Sequence, residues 1–212
     1  ERTAEETNLT VITVSEESST VKVFTNLDTT ELEEPSVILG RVNESLQSVD
    51  RMRRRFDEAV AELGELEIEN SLSNQQVLEV IQRGELLTRL SKQVRSEALR
   101  LGGEAGLVLI QIDSLESGVK NTLNLVLKDH LPAKKYRNIS KASDEISSQS
   151  YDELNDIDHL GSVLGKLPLD DLSISKGYRV LARLPNLPEN LHDSIVQKFK
   201  TLPKLLPASP DK

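Results

Sequence analysis

Leu39, Val42, Leu46, Val49, Phe56, Val60 and Leu63 recur at steps of three, four and seven residues. Such a nearly heptad seam can be satisfied only by a long amphipathic helix that begins after Pro35. Gly64 is expected to end it. Arg53 falls in the seam where an apolar residue belongs, a substitution suited to setting register or partner choice rather than adding stability. A second helix opens at Ser73, with Gln76 three residues on at capping-box spacing. Its apolar face is Val77, Val80, Ile81, Leu87, Val94, Ala98 and Leu101, and Gly102-Gly103 stops it. A third helix puts Leu109, Ile112, Leu115, Val119, Leu123 and Val126 on one face and runs to Leu131-Pro132. Three such helices on short connections pack as an antiparallel bundle.

Outside this region the periodicity changes. Leu9–Val14 and Thr20–Phe24 alternate β-branched and polar residues around the polar turn Ser15–Ser19, which reads as two short strands. Two strands alone are not stable in water, so they are expected to belong to a larger sheet encoded upstream. Thr29–Pro35 is a polar, acidic bridge. Residues 133–173 are rich in Ser, Asp and Lys and read as a linker with some helix over Ile139–Leu164. In the last segment, Gly177–Pro188 is an extended or turn approach to a helix at Pro188–Phe199, with Leu191, Ile195, Val196 and Phe199 turned inward. A short apolar helix around Pro203–Leu206 follows. The fold class is therefore mainly α.

Charge separates the two ends. The net charge of −9 argues against a chain that coats nucleic acid along its length. Residues 1–133 hold 14 Lys and Arg against 24 Asp and Glu, whereas residues 174–212 hold seven basic residues against three acidic ones. A phosphate-facing surface is thus sought at the C-terminal end, the alternative being a mildly basic face with no ligand. Arg51, Arg53, Arg54 and Arg55 lie among carboxylates, so pairing within the bundle is the reading preferred over a phosphate patch. No cysteine is present, which removes disulfides and thiolate chemistry and fits a reducing cytoplasm. His130, His159 and His192 lack ligand-spaced neighbours, no glycine-rich phosphate loop occurs, and three Tyr with three Phe are too few for a base-stacking platform. No apolar run reaches the roughly 18–20 residues of a membrane span.

Four segments carry a resemblance: Arg2-Thr3-Ala4-Glu5, Val11-Ile12-Thr13-Val14-Ser15-Glu16, Leu66-Glu67-Ile68-Glu69-Asn70, and Gly177 to Pro188. In order and spacing the chain resembles the DisA family, bacterial diadenylate cyclases with a helical spine and a C-terminal helix-hairpin-helix domain. The resemblance divides the chain into a C-terminal remnant of the α/β cyclase domain (1–34), a helical spine (35–132), a linker (133–173) and the start of the DNA-binding domain (174–212). It implies synthesis of cyclic di-AMP from two ATP with Mg or Mn, binding of branched DNA, an octamer, and a bacterial cytoplasmic, nucleoid-associated setting.

Residue by residue, Arg2 and Thr3 match the last two positions of the family's Arg-His-Arg-Thr phosphate motif, with Glu1 where histidine stands. Ser15 and Glu16 match a Ser-Glu that lines the same pocket; by residue type alone the pair is a hairpin turn. The family's catalytic Asp-Gly-Ala occurs nowhere in these residues, so no catalytic residue is assigned and the chain by itself is expected to be inactive. Arg179, Arg183, Lys198, Lys200 and Lys204 are the candidate DNA contacts, weak ones because no Gly-x-Gly hairpin follows them. Lys200 also replaces the glycine that usually ends the family's helix. The chain starts at Glu1, has Met52 as its only methionine, and is read as an excerpt of a longer protein. Two other readings stay open, a non-enzymatic helical assembly protein and a stand-alone DNA-binding module. An Asp-Gly-Ala encoded upstream would select against both.

Overall fold

The computed structural model describes residues 2–15, 20–25, 28–132 and 139–207. A short helix, α1 (Arg2–Thr7), precedes three strands, β1 (Val11–Ser15), β2 (Thr20–Phe24) and β3 (Thr29–Leu32). They form an antiparallel meander in which Ile12 opposes Val23, Val14 opposes Val21, and Val21 opposes Leu32. The third strand lies in what the sequence presents as a polar bridge. Thr29 to Leu32 carry no alternating apolar signal strong enough to announce a strand, and pairing with β2 supplies what the residues lack. One face of the sheet therefore collects Ile12, Val14, Val21, Val23 and Leu32, and Ile12 and Val14 are 64% and 72% exposed. Among the described residues its outer strands are open to solvent, with Leu32 52% exposed, while Val21 and Val23 of the central strand are half-buried. Glu33 ties the sheet's exit to the bundle through a two-pronged contact with Arg41, which also reaches Glu97.

The rest is helical: α2 (Pro35–Glu69), α3 (Asn74–Ala98), α4 (Gly106–Glu116), α5 (Val119–His130), α6 (Ile139–Ser147), α7 (Tyr151–Asn155), α8 (Ile157–Val163), α9 (Tyr178–Leu181), α10 (Glu189–Phe199) and α11 (Leu202–Leu205). At 35 residues α2 is about 50 Å long. Val42, Val49, Phe56 and Leu63, seven residues apart, are its fully buried row. The helix does not stop at Gly64. A glycine inside a helix costs only about 1 kcal/mol, and the seam that continues beyond it outweighs that. It ends at Asn70, in the left-handed conformation (φ 57°) that asparagine tolerates.

Helix α3 is the central element and packs against α2, α4, α5 and α8. Its start is capped as the sequence predicts: the Ser73 hydroxyl accepts from the Gln76 amide, and Gln76 Oε1 accepts from the Ser73 amide. The next two orphan amides find partners about 95 residues away, Asn74 N–H donating to Asp171 O (2.9 Å) and Gln75 N–H to Leu169 O (3.1 Å). The second helix, expected to stop at Gly102-Gly103, ends its α-helical part at Ala98, and a 3₁₀ segment, Leu99–Ala105, broken at Gly102, joins α3 to α4.

The third helix of the sequence reading is two helices, broken at Ser117-Gly118, with Gly118 at φ 76°. Arg53 explains the break. Its guanidinium donates to Leu115 O (2.7 Å) and Ser117 O (2.8 Å) and pairs with Asp57, so a cation in the α2 seam satisfies the end of α4. Arg54 pairs with Asp50 and Arg51 donates to Ser48, so these two arginines also serve the bundle's own surface.

Residues 139–164, expected as a linker with some helix, are fully integrated. Ala142, Ile146, Leu154, Leu160 and Leu164 are buried in the same core as α2 and α3. Short helices with one or two buried residues each give little periodic signal, which is why sequence alone undervalues them.

Two glycines in the bundle differ in kind. A Cβ on Gly84 of α3 would sit 2.6 Å from Leu123 Cδ2 and 2.9 Å from its Cγ, so α5 can approach only because that side chain is absent. A Cβ on Gly64 meets only the Arg179 guanidinium, at 3.9 Å. Gly84→Ala is therefore expected to destabilise by about 1–3 kcal/mol despite its better helix propensity. Gly64→Ala is expected to be neutral or to stabilise by up to about 1 kcal/mol. Denaturant unfolding of the two variants checks the contrast.

Candidate functional site

Row by row along α2, the seam partner of the Val42-to-Leu63 row is Leu39, Leu46, Arg53, Val60 and then Glu67. Glu67 is the second charge in that row, and it is buried. His130 Nε2 stands 2.8 Å from Glu67 Oε1, and since the carboxylate can only accept, the imidazole donates. His130 Nδ1 lies 3.0 Å from Ser173 Oγ. On the other side, Arg179 Nη1 is 3.0 Å from Glu67 Oε2, and its Nη2 donates to Val60 O at 3.0 Å. Arg179 is only 4% exposed. Burial pushes the Glu67 carboxyl up, but the hydrogen bond from His130 and the charge of Arg179 outweigh it and hold Glu67 below the ordinary carboxylate value of 4.5.

Beside this pair, Asp129 in the last turn of α5 is wholly buried. Its Oδ1 accepts from Gly177 N–H (2.8 Å) and Tyr178 N–H (2.6 Å), and its Oδ2 accepts from Arg179 N–H (2.9 Å). These are the orphan amides at the start of α9. The residue at the N-cap is Gly177, at φ 102°, which has no side chain to offer, so a carboxylate from another helix does the capping. Burial raises the Asp129 carboxyl above its ordinary value, against the pull of His130 and the backbone donors. In the reverse direction, Lys176 Nζ donates to Lys128 O (2.9 Å) and Leu131 O (2.6 Å) at the C-terminus of α5. Burial lowers the Lys176 pKa, against the attraction of Asp129. Tyr178 adds a third tie: its hydroxyl donates to Asp193 of α10 and its ring lies 5.6 Å from Lys128 Nζ. Spine and tail cap each other.

The other sequence-predicted residues are scattered. Arg2 lies exposed on α1 and pairs with Glu6 at 3.2 Å, Thr3 accepts through its carbonyl from Thr7, and Ser15 ends β1. Glu16 lies outside the described residues. Among the described residues no group of three His, Asp or Glu is placed to hold a metal ion. In the tail, Arg183, Lys198, Lys200 and Lys204 are exposed on and around α9, α10 and α11. Arg179, expected beside them, is instead withdrawn into the Glu67 pair. Lys200 holds φ 67° at the end of α10, the backbone that favours the glycine it replaces. On α10 the buried residues are His192 and Val196, with Ile195 and Phe199 half-buried and Leu191 exposed.

A family model described as the DisA bacterial checkpoint controller linker region matches residues 32–168, which is most of the chain. The chain belongs to the DisA family. It is similar to the DNA integrity scanning protein DisA of Acidothermus cellulolyticus (33% identical, all of this chain, 59% of the relative). The DisA of Kineococcus radiotolerans is 34% identical over all of this chain and 60% of its own length. That of Clostridium tetani is 31% identical over 99% and 58%. The chain thus spans about three fifths of the length of these DisA relatives. The matched region takes in α6, α7 and α8, in line with their burial in one core. No helix among the described residues is long and apolar enough to cross a membrane.

Glu67 and His130 were not singled out for a site by sequence reasoning, because ending the first helix at Gly64 put Glu67 outside the seam. Carrying the seven-residue step once past Val60 reaches it. In the folded protein, Glu67 releases its proton more readily than in the unfolded chain. The stability it contributes is fully present above its unfolded value near 4.5 and is lost as pH falls through the lower folded value. Asp129, raised on folding, has the opposite sign: its contribution is present below its unfolded value and lost as pH rises through the folded one. Replacing Glu67 by Gln leaves Arg179 buried without its partner, an expected loss of about 3–5 kcal/mol at neutral pH. Urea unfolding should show the gap between wild type and Glu67→Gln narrowing as pH falls below 4.5.

Proposed function

We propose that this chain is the spine of a DisA-family protein together with part of each flanking unit, and that it holds a nucleotide-synthesising end and a DNA-facing end in fixed relation. One observation carries the reading. Helix α2 leads from a sheet with an open apolar face to a tail fastened to the bundle through Glu67, Asp129 and Lys176. The open face of Ile12, Val14, Val21, Val23 and Leu32 suits burial against the rest of an α/β cyclase domain. In that reading the whole protein condenses two ATP into cyclic di-AMP with Mg or Mn, assembles as an octamer, and engages branched DNA, which restrains synthesis through the spine. It works in the bacterial cytoplasm in association with the nucleoid. Arg2, Thr3, Ser15 and Glu16 belong to the nucleotide pocket, and Arg183, Lys198, Lys200 and Lys204 face phosphates.

These 212 residues lack Asp-Gly-Ala, so they do not carry the synthesis alone. Phosphoryl transfer depends on positioning and charge neutralisation that half a motif does not provide. Incubating the pure chain with ATP and magnesium should yield no cyclic di-AMP, and product that disappears in Arg2→Ala would overturn this. Duplex DNA should bind weakly, with each neutralised phosphate adding a slope of roughly −0.9 to log affinity against log salt. Charge removal at Lys198, Lys200 and Lys204 should abolish that binding, whereas removal at Arg51, Arg54 and Arg55 should leave it. The reverse outcome would place the DNA surface on the spine.

A further inference from the structure

We infer that the buried groups Glu67, His130, Asp129 and Arg179, with the half-buried Lys176, form a latch that fixes the direction in which the C-terminal tail leaves the spine. Apolar contacts between α11 and α2, or around Leu181 and Leu202, would by themselves allow small rotations, because dispersion and burial are non-directional. The cluster does not. Three amides converge on one carboxylate, two carbonyls converge on one ammonium, and one carboxylate is shared between an imidazole and a guanidinium. The hydrogen bonds among these have a narrow range of workable geometry, and the Glu67–Arg179 ion pair adds a buried charge on each side. Partial opening would strand a buried charge, so the junction has two discrete states, assembled or released.

Every member spans the junction. Glu67, Asp129 and His130 come from the ends of α2 and α5, and Lys176 and Arg179 from the chain entering and forming α9. Tyr178 carries the constraint onward to α10 through Asp193, and Leu202 N–H donates to Ser175 O, so α11 is drawn in as well. The latch therefore sets where α10 and α11, with Lys198, Lys200 and Lys204, point relative to the 35-residue α2. That these lysines meet nucleic acid rests on the function proposed above; the latch itself does not.

The chain has no cysteine, so spin labels can be placed at will. Labels at exposed Glu58→Cys on α2 and Gln197→Cys on α10 report the angle between spine and tail by pulsed dipolar spectroscopy, and a second pair at Glu58→Cys and Gln93→Cys reports the spine alone. The wild-type background should give one narrow distance for each pair. In Glu67→Gln/Asp129→Asn the spine pair should stay narrow while the spine-to-tail distribution broadens or splits. A spine-to-tail distance that stays narrow and unchanged would overturn the latch. Should the spine pair broaden as well, Lys176→Met, which strands no buried charge, decides between the same two results. No DNA is present in the measurement, so its failure is distinct from a failure of the DNA reading.

Discussion

Asp129 has no exposed surface, and a carboxylate in that position is tolerated only when its oxygens are fully engaged. The fold meets that requirement by bringing the first amides of α9 onto it, 48 to 50 residues further along the chain. Much of the junction follows from this contact. Gly177 holds φ 102°, a backbone that strains any other residue, and a Cβ there would stand 3.1 Å from Leu205 Cδ2. Lys176 is then next to the end of α5, where its ammonium meets free carbonyls, and Arg179 is one turn further, where it reaches Glu67. The Lys176 ammonium lies at the C-terminus of α5 and the Asp129 carboxylate at the N-terminus of α9, each where the helix end favours its charge.

A junction of this kind contributes specificity more than net stability. Taking the charges of Glu67, Asp129 and Arg179 out of water costs several kcal/mol per ion, which their mutual attraction offsets only when every partner is in place. Most of the cohesion of the molecule lies instead in the apolar rows of α2 and α3 and in the small helices α6 to α8 that complete the same core. Arg53 repeats the theme on a smaller scale. It gives up an apolar position in the seam and in return fixes where α4 ends, so two charges in one seven-residue row, Arg53 and Glu67, each tie a different part of the chain to α2.

The periodic features were legible in the sequence, and the junction was not. The seam from Leu39 to Leu63, the capping box at Ser73 and Gln76 and the first two strands all depend on residues close together in the chain. The mainly α class follows from them. What was missed depends on contacts across long separations: the passage of α2 through Gly64, the break at Ser117-Gly118 held by Arg53, and the folding of residues 139–164 into the core. Arg179 is the sharpest case. As a residue type in a basic segment it points to phosphate, yet its partner Glu67 lies 112 positions earlier, and only the folded chain shows that its charge is already spent. Arg2 and Thr3 lie on α1 and Ser15 at the end of β1, apart from the junction.

The claim that spine and tail are joined by buried capping is tested most directly by hydrogen exchange at the amides of Gly177, Tyr178 and Arg179. If Asp129 holds them as described, they exchange as slowly as the amides of α5 and only through opening that also exposes that helix. Exchange at the rate of an exposed loop, with α5 still protected, would contradict it.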